Sequence, residues 1–178
     1  ICIRGAVVDG HKFIPDVTAK GAKVLVVEEE VSAPSDVTVI QVTDTRYAMA
    51  FISAAWFGHP ADDMRVIGIT GTNGKTTSTY LLKHVLEKTL GAKVGLIGTI
   101  QNMIGSEVIH TERTTPESFE LQKLFAQMAD AGCMHCVMEV SSHALVLHRA
   151  DEISFETGIF TNLTEDHLDF HKTMDAYC

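Results

Sequence analysis

Residues 65–77 read RVIGITGTNGKTT, and the fold turns on how this stretch divides. RVIGIT carries the apolar, β-branched run of a buried strand. Gly71 and Gly74 break the run, and from about Thr76 to Leu90 the chain reads as a helix. Strand, glycine turn and helix in that order bring backbone N–H groups and a positive helix end to one point, a nest for phosphate. Lys75 adds a point charge for outer phosphates, and the Thr76 hydroxyl is placed to ligate Mg²⁺. The usual spacing, G-x-x-x-x-G-K-[ST], needs a glycine where Ile69 stands, so this loop is the variant G-x-x-G-K-T. A fortuitous glycine turn is the competing reading; the flanking strand and helix weigh against it. Mg-nucleotide binding is the expectation.

Outward from the loop, two α/β blocks appear. In the first, ICIRG reads as a short strand and HKFIPDVTAKGA as a short helix ending near Gly21. KVLVVEE and VTVIQV read as buried strands, and TDTRYAMAFISAAWFG as a helix capped by Thr43 or Asp44. Gly58-His59-Pro60 stops that helix, HPADDM reads as a linker, and the boundary is placed close to residue 64, giving domains 1–63 and 64–178. Beyond the glycine loop come the strand AKVGLIGT, a hairpin at GSEVIHT, a helix ESFELQKLFAQMADAG with Pro116 on its first turn, and the strands HCVMEV and ETGIFTNL. The fold expected is α/β: a partial N-terminal α/β domain, then a truncated P-loop domain with a parallel sheet covered on both faces. Ligands on such sheets gather at the carboxyl ends of the strands. The chain opens inside a strand and stops at DAYC on a first helical turn, so both ends read as cut.

Across its 178 residues the chain has 46% hydrophobic and 21% charged side chains, a globular balance. Fourteen basic against 23 acidic residues give a formal charge of −9, which argues against a nucleic-acid surface but not against a small phosphorylated ligand. Its apolar runs are strand-sized, too short to span a membrane. Four cysteines without a disulfide pattern point to a reducing, cytoplasmic compartment. A monomer is the default.

Other stretches carry polar groups near predicted strand ends. Glu139 closes HCVMEV, where a metal-organising carboxylate belongs, although a surface glutamate would look the same. Asp166, His167, Asp169 and His171 cluster in EDHLDFH; the i, i+4 histidines allow zinc, but the phosphate loop favours magnesium. CMHC at 133–136 is best explained by packing, and Glu28–Glu30 as a solvated strand end.

GTNGKTT, RTTPESFELQ, MEVSSHAL with Arg149 after it, and FTNLTEDHLDFH occur in the order found in Mur ligases, which the chain resembles over essentially its whole length. GAVVDGHKFI and KGAKVLVVEE are similar to the family's uridine-nucleotide-binding domain. Within the family the likeness is greatest to the branch that adds the third residue of the peptidoglycan precursor. The resemblance implies an ATP- and Mg²⁺-dependent ligase that phosphorylates a carboxylate of UDP-MurNAc-L-Ala-D-Glu and joins it to diaminopimelate or L-lysine. By the same resemblance Gly71, Thr72, Asn73, Gly74, Lys75, Thr76 and Thr77 bind the ATP phosphates. Thr76 and Glu139 hold one magnesium and His167 a second, so that Lys75, Glu139 and His167 are the catalytic expectations. Thr114, Thr115, Ser141 and Arg149 contact the muramyl substrate; a helix cap is the plainer role for the two threonines, and a surface cation for Arg149. Leu147 stands where many relatives have a polar substrate contact. The family's carbamylated lysine is expected a few residues past Cys178, and its C-terminal domain outside the chain, so these residues alone should catalyse nothing. Alternatives are a folylpolyglutamate-type or other Mur ligase, a P-loop GTPase or kinase, and a binding module without ligase activity.

Overall fold

Three apolar residues in a row, Leu25, Val26 and Val27, anchor the first part of the molecule. The computed structural model describes residues 1–5 and 7–178, so Ala6, within GAVVDGHKFI, lies outside the described residues. A 3-10 turn (Gly10–Phe13) leads into helix α1 (Ile14–Ala19), with Pro15 in the first turn, where a missing N–H costs nothing. Strand β1 (Val24–Val27) pairs in parallel with β2 (Thr38–Gln41), Val24 opposite Thr38. Cys2, Ile14, Leu25 and Val27 form a small core. Two expectations change here. ICIRG forms no strand: Gly5 N–H donates to the Val8 carbonyl, and only an isolated bridge joins Arg4 to Asp9. β2 forms but is exposed along its whole length: the small core takes Leu25 and Val27 from β1 and no side chain from β2.

Helix α2 (Thr45–Phe57) follows, and Asp44 rather than Thr43 caps it: Asp44 Oδ1 accepts from the N–H groups of Arg46 (2.8 Å) and Tyr47 (2.9 Å). Glu28 is more than a solvated strand end, since its Oε1 accepts from Thr45 N–H (2.9 Å) and the Thr45 hydroxyl (2.6 Å). Gly58 leaves the helix at φ 76°, and residues expected as a linker wind into a 3-10 turn, Pro60–Asp63. The chain divides into two compact units, Ile1–Met49 and Ala50–Cys178; residue 64 lies inside the second, where this turn meets the next strand.

That unit runs β3 (Arg65–Thr70), α3 (Lys75–Leu90), β4 (Val94–Ile97), β5 (Asn102–Ile104), β6 (Glu107–Ile109), α4 (Ser118–Asp130), β7 (His135–Glu139), α5 (Ser142–Val146), β8 (Phe155–Phe160), α6 (Leu168–His171) and α7 (Met174–Tyr177). The sheet order is β6-β5-β4-β7-β3-β8; β4, β7, β3 and β8 are parallel, and β5–β6 is the expected antiparallel hairpin. Side chains alternate between two cores, as the pleat demands. Val66, Cys136 and Met138 join Leu121, Phe125 and Met128 of α4, while Ile69, Val94 and Val137 meet Leu82 and Leu86 of α3. Phe125 is fully buried, and truncating it to alanine costs about 3–5 kcal/mol. The sheet is not covered throughout: at the β8 edge Thr157, Gly158 and Phe160 are exposed, because α3 and α4 lie over the strands around β7. Pro116 precedes α4 rather than sitting on its first turn, since the helix starts at Ser118 with Glu117 as N-cap. Among the described residues no helix is long and apolar enough to cross a membrane.

Candidate active site

Four adjacent parallel strands end on the same side of the sheet, and their order fixes what meets there. β4 delivers Gly98 and Thr99, β7 delivers Glu139, β3 the glycine loop, and β8 Thr161 and Asn162. Ile69 pairs with Glu139 across β3 and β7, so the acid stands beside the loop's root. A cavity of about 760 Å³ opens over these ends, lined by Thr72–Thr77, Thr99, Thr111–Thr115, Glu139, Ser141, His143, Arg149 and His167. The expected site residues are therefore brought together apart from Gly71, which supports the loop from behind.

Gly71 sits at φ 120°, and a Cβ there would strike the Thr161 hydroxyl and lie 2.7 Å from the Asn162 carbonyl, so only glycine fits. Gly74, at φ 88°, is the N-cap of α3 and brings no side chain, leaving the first-turn N–H groups of that helix for an anion. The loop is held from β8. Thr72 N–H donates to Asn162 O (2.9 Å), Asn73 N–H to Asn162 Oδ1 (3.1 Å), and Asn162 Nδ2 to Asn73 O (2.9 Å). The Thr72 hydroxyl bonds Thr164 and lies 2.9 Å from the Tyr177 hydroxyl. Lys75 Nζ donates to the carbonyls of Gly71 (2.6 Å) and Thr72 (3.0 Å), which keeps the ammonium over the loop.

Glu139 is 1% exposed and accepts three hydrogen bonds: Thr99 N–H at Oε1 (2.9 Å), and the hydroxyls of Thr76 (2.9 Å) and Thr99 (3.1 Å) at Oε2. A buried carboxylate needs such partners. The space around it is tailored, since a Cβ on Gly98 would come within 2.5 Å of Oε1. Because the Thr76 proton points to Glu139, the hydroxyl's lone pairs are left for a hard cation; carboxylate and hydroxyl oxygens beside a phosphate nest suit Mg²⁺.

His167 reaches the cavity from the N-cap of α6, at φ 54° and ψ 27°, a left-handed conformation that histidine adopts at a cost. His171 does not join it: it is buried, with Nε2 2.9 Å from Ser142 Oγ, so the two histidines form no zinc pair. His143 lies edge-on to His167, ring centroids 4.9 Å apart; burial, then the neighbouring His167 and His171, hold its pKa below the usual imidazole value. The compact His/Asp/Glu grouping among the described residues, Asp9-His11-Glu29, is engaged internally: His11 Nδ1 pairs with Asp9, Nε2 accepts from Glu28 N–H, and Arg4 bridges Asp9 and Glu29. Cys133 and Cys136 are buried, and burial pushes both thiols above the ordinary value, consistent with packing.

Thr115 caps no helix. Its hydroxyl donates to the Glu139 carbonyl (2.9 Å) and accepts from Ser141 N–H (3.1 Å), fixing its loop to the end of β7. Thr114 Oγ1 lies 3.0 Å from Thr99 Oγ1, and the Ser141 hydroxyl caps α5 through Ala144 N–H (3.2 Å). Arg149 is no surface cation: its side chain is 13% exposed, Nη2 lies 2.7 Å from Glu117 Oε1, and Nη1 donates to Thr115 O. Sequence reasoning missed Thr99, Asn162, Tyr177 and Glu117. Thr99 had a signal, a hydroxyl directly after a strand and a glycine; the others are read only in three dimensions.

Residues 69–178 match the Mur ligase middle domain, and residues 1–57 match the Mur ligase family catalytic domain. The chain is 58% identical over 177 residues to the UDP-N-acetylmuramoyl-L-alanyl-D-glutamate–2,6-diaminopimelate ligase of Clostridium perfringens, and 53% identical to that of Clostridium botulinum. These alignments cover 99% of the chain but 36% and 37% of the relatives, so the chain spans little more than a third of their length. A solved ligase of the same name superposes with TM-score 0.79 at 26% identity, over 94% of this chain and 34% of that one. MurF from Acinetobacter baumannii shares the fold at TM-score 0.61 and 20% identity, over 99% of this chain and 35% of that one. The chain belongs to the Mur ligase family.

Proposed function

We propose that this chain is part of a cytoplasmic, ATP-dependent ligase that joins diaminopimelate to UDP-MurNAc-L-Ala-D-Glu in peptidoglycan synthesis. Residues 64–178 carry the nucleotide chemistry, and residues 1–63 part of the uridine-nucleotide domain. The observation that carries the reading is the shared cavity: the phosphate loop, the Glu139–Thr76 pair and the Thr115–Ser141–Arg149 corner face one space. The names of the relatives support it and favour diaminopimelate over lysine.

In this reading the α3 N-terminus and Lys75 hold the ATP phosphates, and Arg149 with Ser141, Thr114 and Thr115 orients the muramyl dipeptide. Its carboxylate oxygen attacks the γ-phosphorus, ADP leaves, and an acyl phosphate forms. The incoming amine attacks the acyl carbon, and the tetrahedral intermediate expels phosphate to give the amide. The residues of the site mainly position two anions side by side and offset their charge. Mg²⁺, held by Thr76 and Glu139 and at a second position by His167, supplies further neutralisation when bound.

The test is phosphate release by the gene product carrying this chain, with ATP, Mg²⁺ and UDP-MurNAc-L-Ala-D-Glu, adding diaminopimelate, lysine or neither. Release that depends on diaminopimelate is expected. Dependence on lysine would change the third substrate, and release without a muramyl compound would overturn the ligase reading.

A further inference from the structure

We propose that Glu117 is a positioning residue that fixes Arg149 for the muramyl substrate, an inference that rests on the ligase reading above. Glu117 is the N-cap of α4, where a carboxylate ordinarily accepts from first-turn N–H groups. It makes no such bond. Its Oε1 instead lies 2.7 Å from Arg149 Nη2 and 3.7 Å from Arg113 Nε.

The Arg149 pair is not a loose surface bridge of the kind that contributes little, because the two side chains are only 13% and 23% exposed. Glu117 holds one guanidinium nitrogen and the Thr115 carbonyl, 3.3 Å away, holds another. Those two contacts set the plane of the group, and Thr115 is itself pinned to Ser141. The guanidinium thus meets an incoming carboxylate already oriented. A free arginine would lose its rotamer entropy on binding, and affinity would fall accordingly. Arg113 and Arg149 both line the cavity, and one shared carboxylate limits the positive charge they bring to it.

The gene product carrying this chain is assayed for phosphate release as Glu117→Gln, Glu117→Asp, Arg149→Lys and the Gln/Lys double variant, with melting temperatures recorded. Glu117→Gln is expected to raise KM for UDP-MurNAc-L-Ala-D-Glu roughly tenfold, with KM for ATP unchanged and kcat within about twofold. Glu117→Asp recovers most of the loss, and the double variant binds no worse than Arg149→Lys alone. Equal rises in both KM values, or a fall in kcat that tracks a lower melting temperature, would reduce Glu117 to a structural role and overturn the proposal. Additive effects would show that it does not act through Arg149. A wild-type protein inactive with the muramyl substrate removes the ligase reading and this inference together, whereas active wild type with unaffected variants removes only the inference.

Discussion

Two glutamates in this molecule make almost the same local contacts in different surroundings. Glu28 follows β1 and takes the N–H and hydroxyl of Thr45; Glu139 ends β7 and takes the N–H and hydroxyl of Thr99. Around Glu28 the pattern ends there, and the bonds fasten the start of α2. Glu139 has a further donor, Thr76 of the phosphate loop, and stands in a cavity wall. A strand-end acid bonded to a threonine is therefore not by itself a catalytic sign. The difference is what else converges on the oxygen: a loop hydroxyl and an open cavity at Glu139, neither at Glu28 among the described residues.

The sharpest way to break that comparison is Glu139→Gln. Phosphate release is expected to fall on the order of 10³-fold while the melting temperature moves little; a fall of less than tenfold would leave the two glutamates alike. Gly98→Ala approaches the same oxygen from behind, its new Cβ lying 2.5 Å from Oε1. It should displace the carboxylate, lower activity about 10²-fold and cost about 1–3 kcal/mol, read by kinetics and denaturant unfolding. Glu28→Ala is expected to cost about 1 kcal/mol and to leave turnover at saturating substrates unchanged. The smallest effect is in acid. The Thr45 hydroxyl and N–H hold Glu28 below its ordinary 4.5, and bonds from His11 lower Asp9 from 3.8 to about 2. Both carboxylates bind protons less readily folded than unfolded, so their stabilisation is complete above the ordinary values and is lost as pH falls through the folded ones. Unfolding followed from pH 6 to 2 should show a shallower decline for Glu28→Gln than for wild type; equal slopes would contradict this role for Glu28.

The central architecture was legible because its signals are local. The apolar run of β3, two glycines needing positive φ and the helix after them are read within one short window, and Glu139 follows from an acid closing an apolar strand. What stayed hidden depends on distant partners. ICIRG has strand composition but no ladder, and β2 has buried-strand composition yet is exposed along its length. Glu28 looks like one of three solvated acids until Thr45 arrives from 17 residues away. Glu117 reads only as the opening residue of a helix, and folding brings Arg149 to it. His167 and His171 have the spacing of a metal pair, but the left-handed turn at His167 and the bond of His171 to Ser142 part them.

The phosphate loop takes its shape from residues made long after it. Thr72 and Asn73 are tied to Thr161, Asn162, Thr164 and Tyr177, at separations of 88 to 105 residues. During synthesis the glycine turn leaves the ribosome well before these anchors exist, and closing so long a loop is slow. Under the proposed function, nucleotide affinity should therefore arise late, when β8 docks, and serve as a reporter of completed folding. Added nucleotide would then slow unfolding more than it speeds folding.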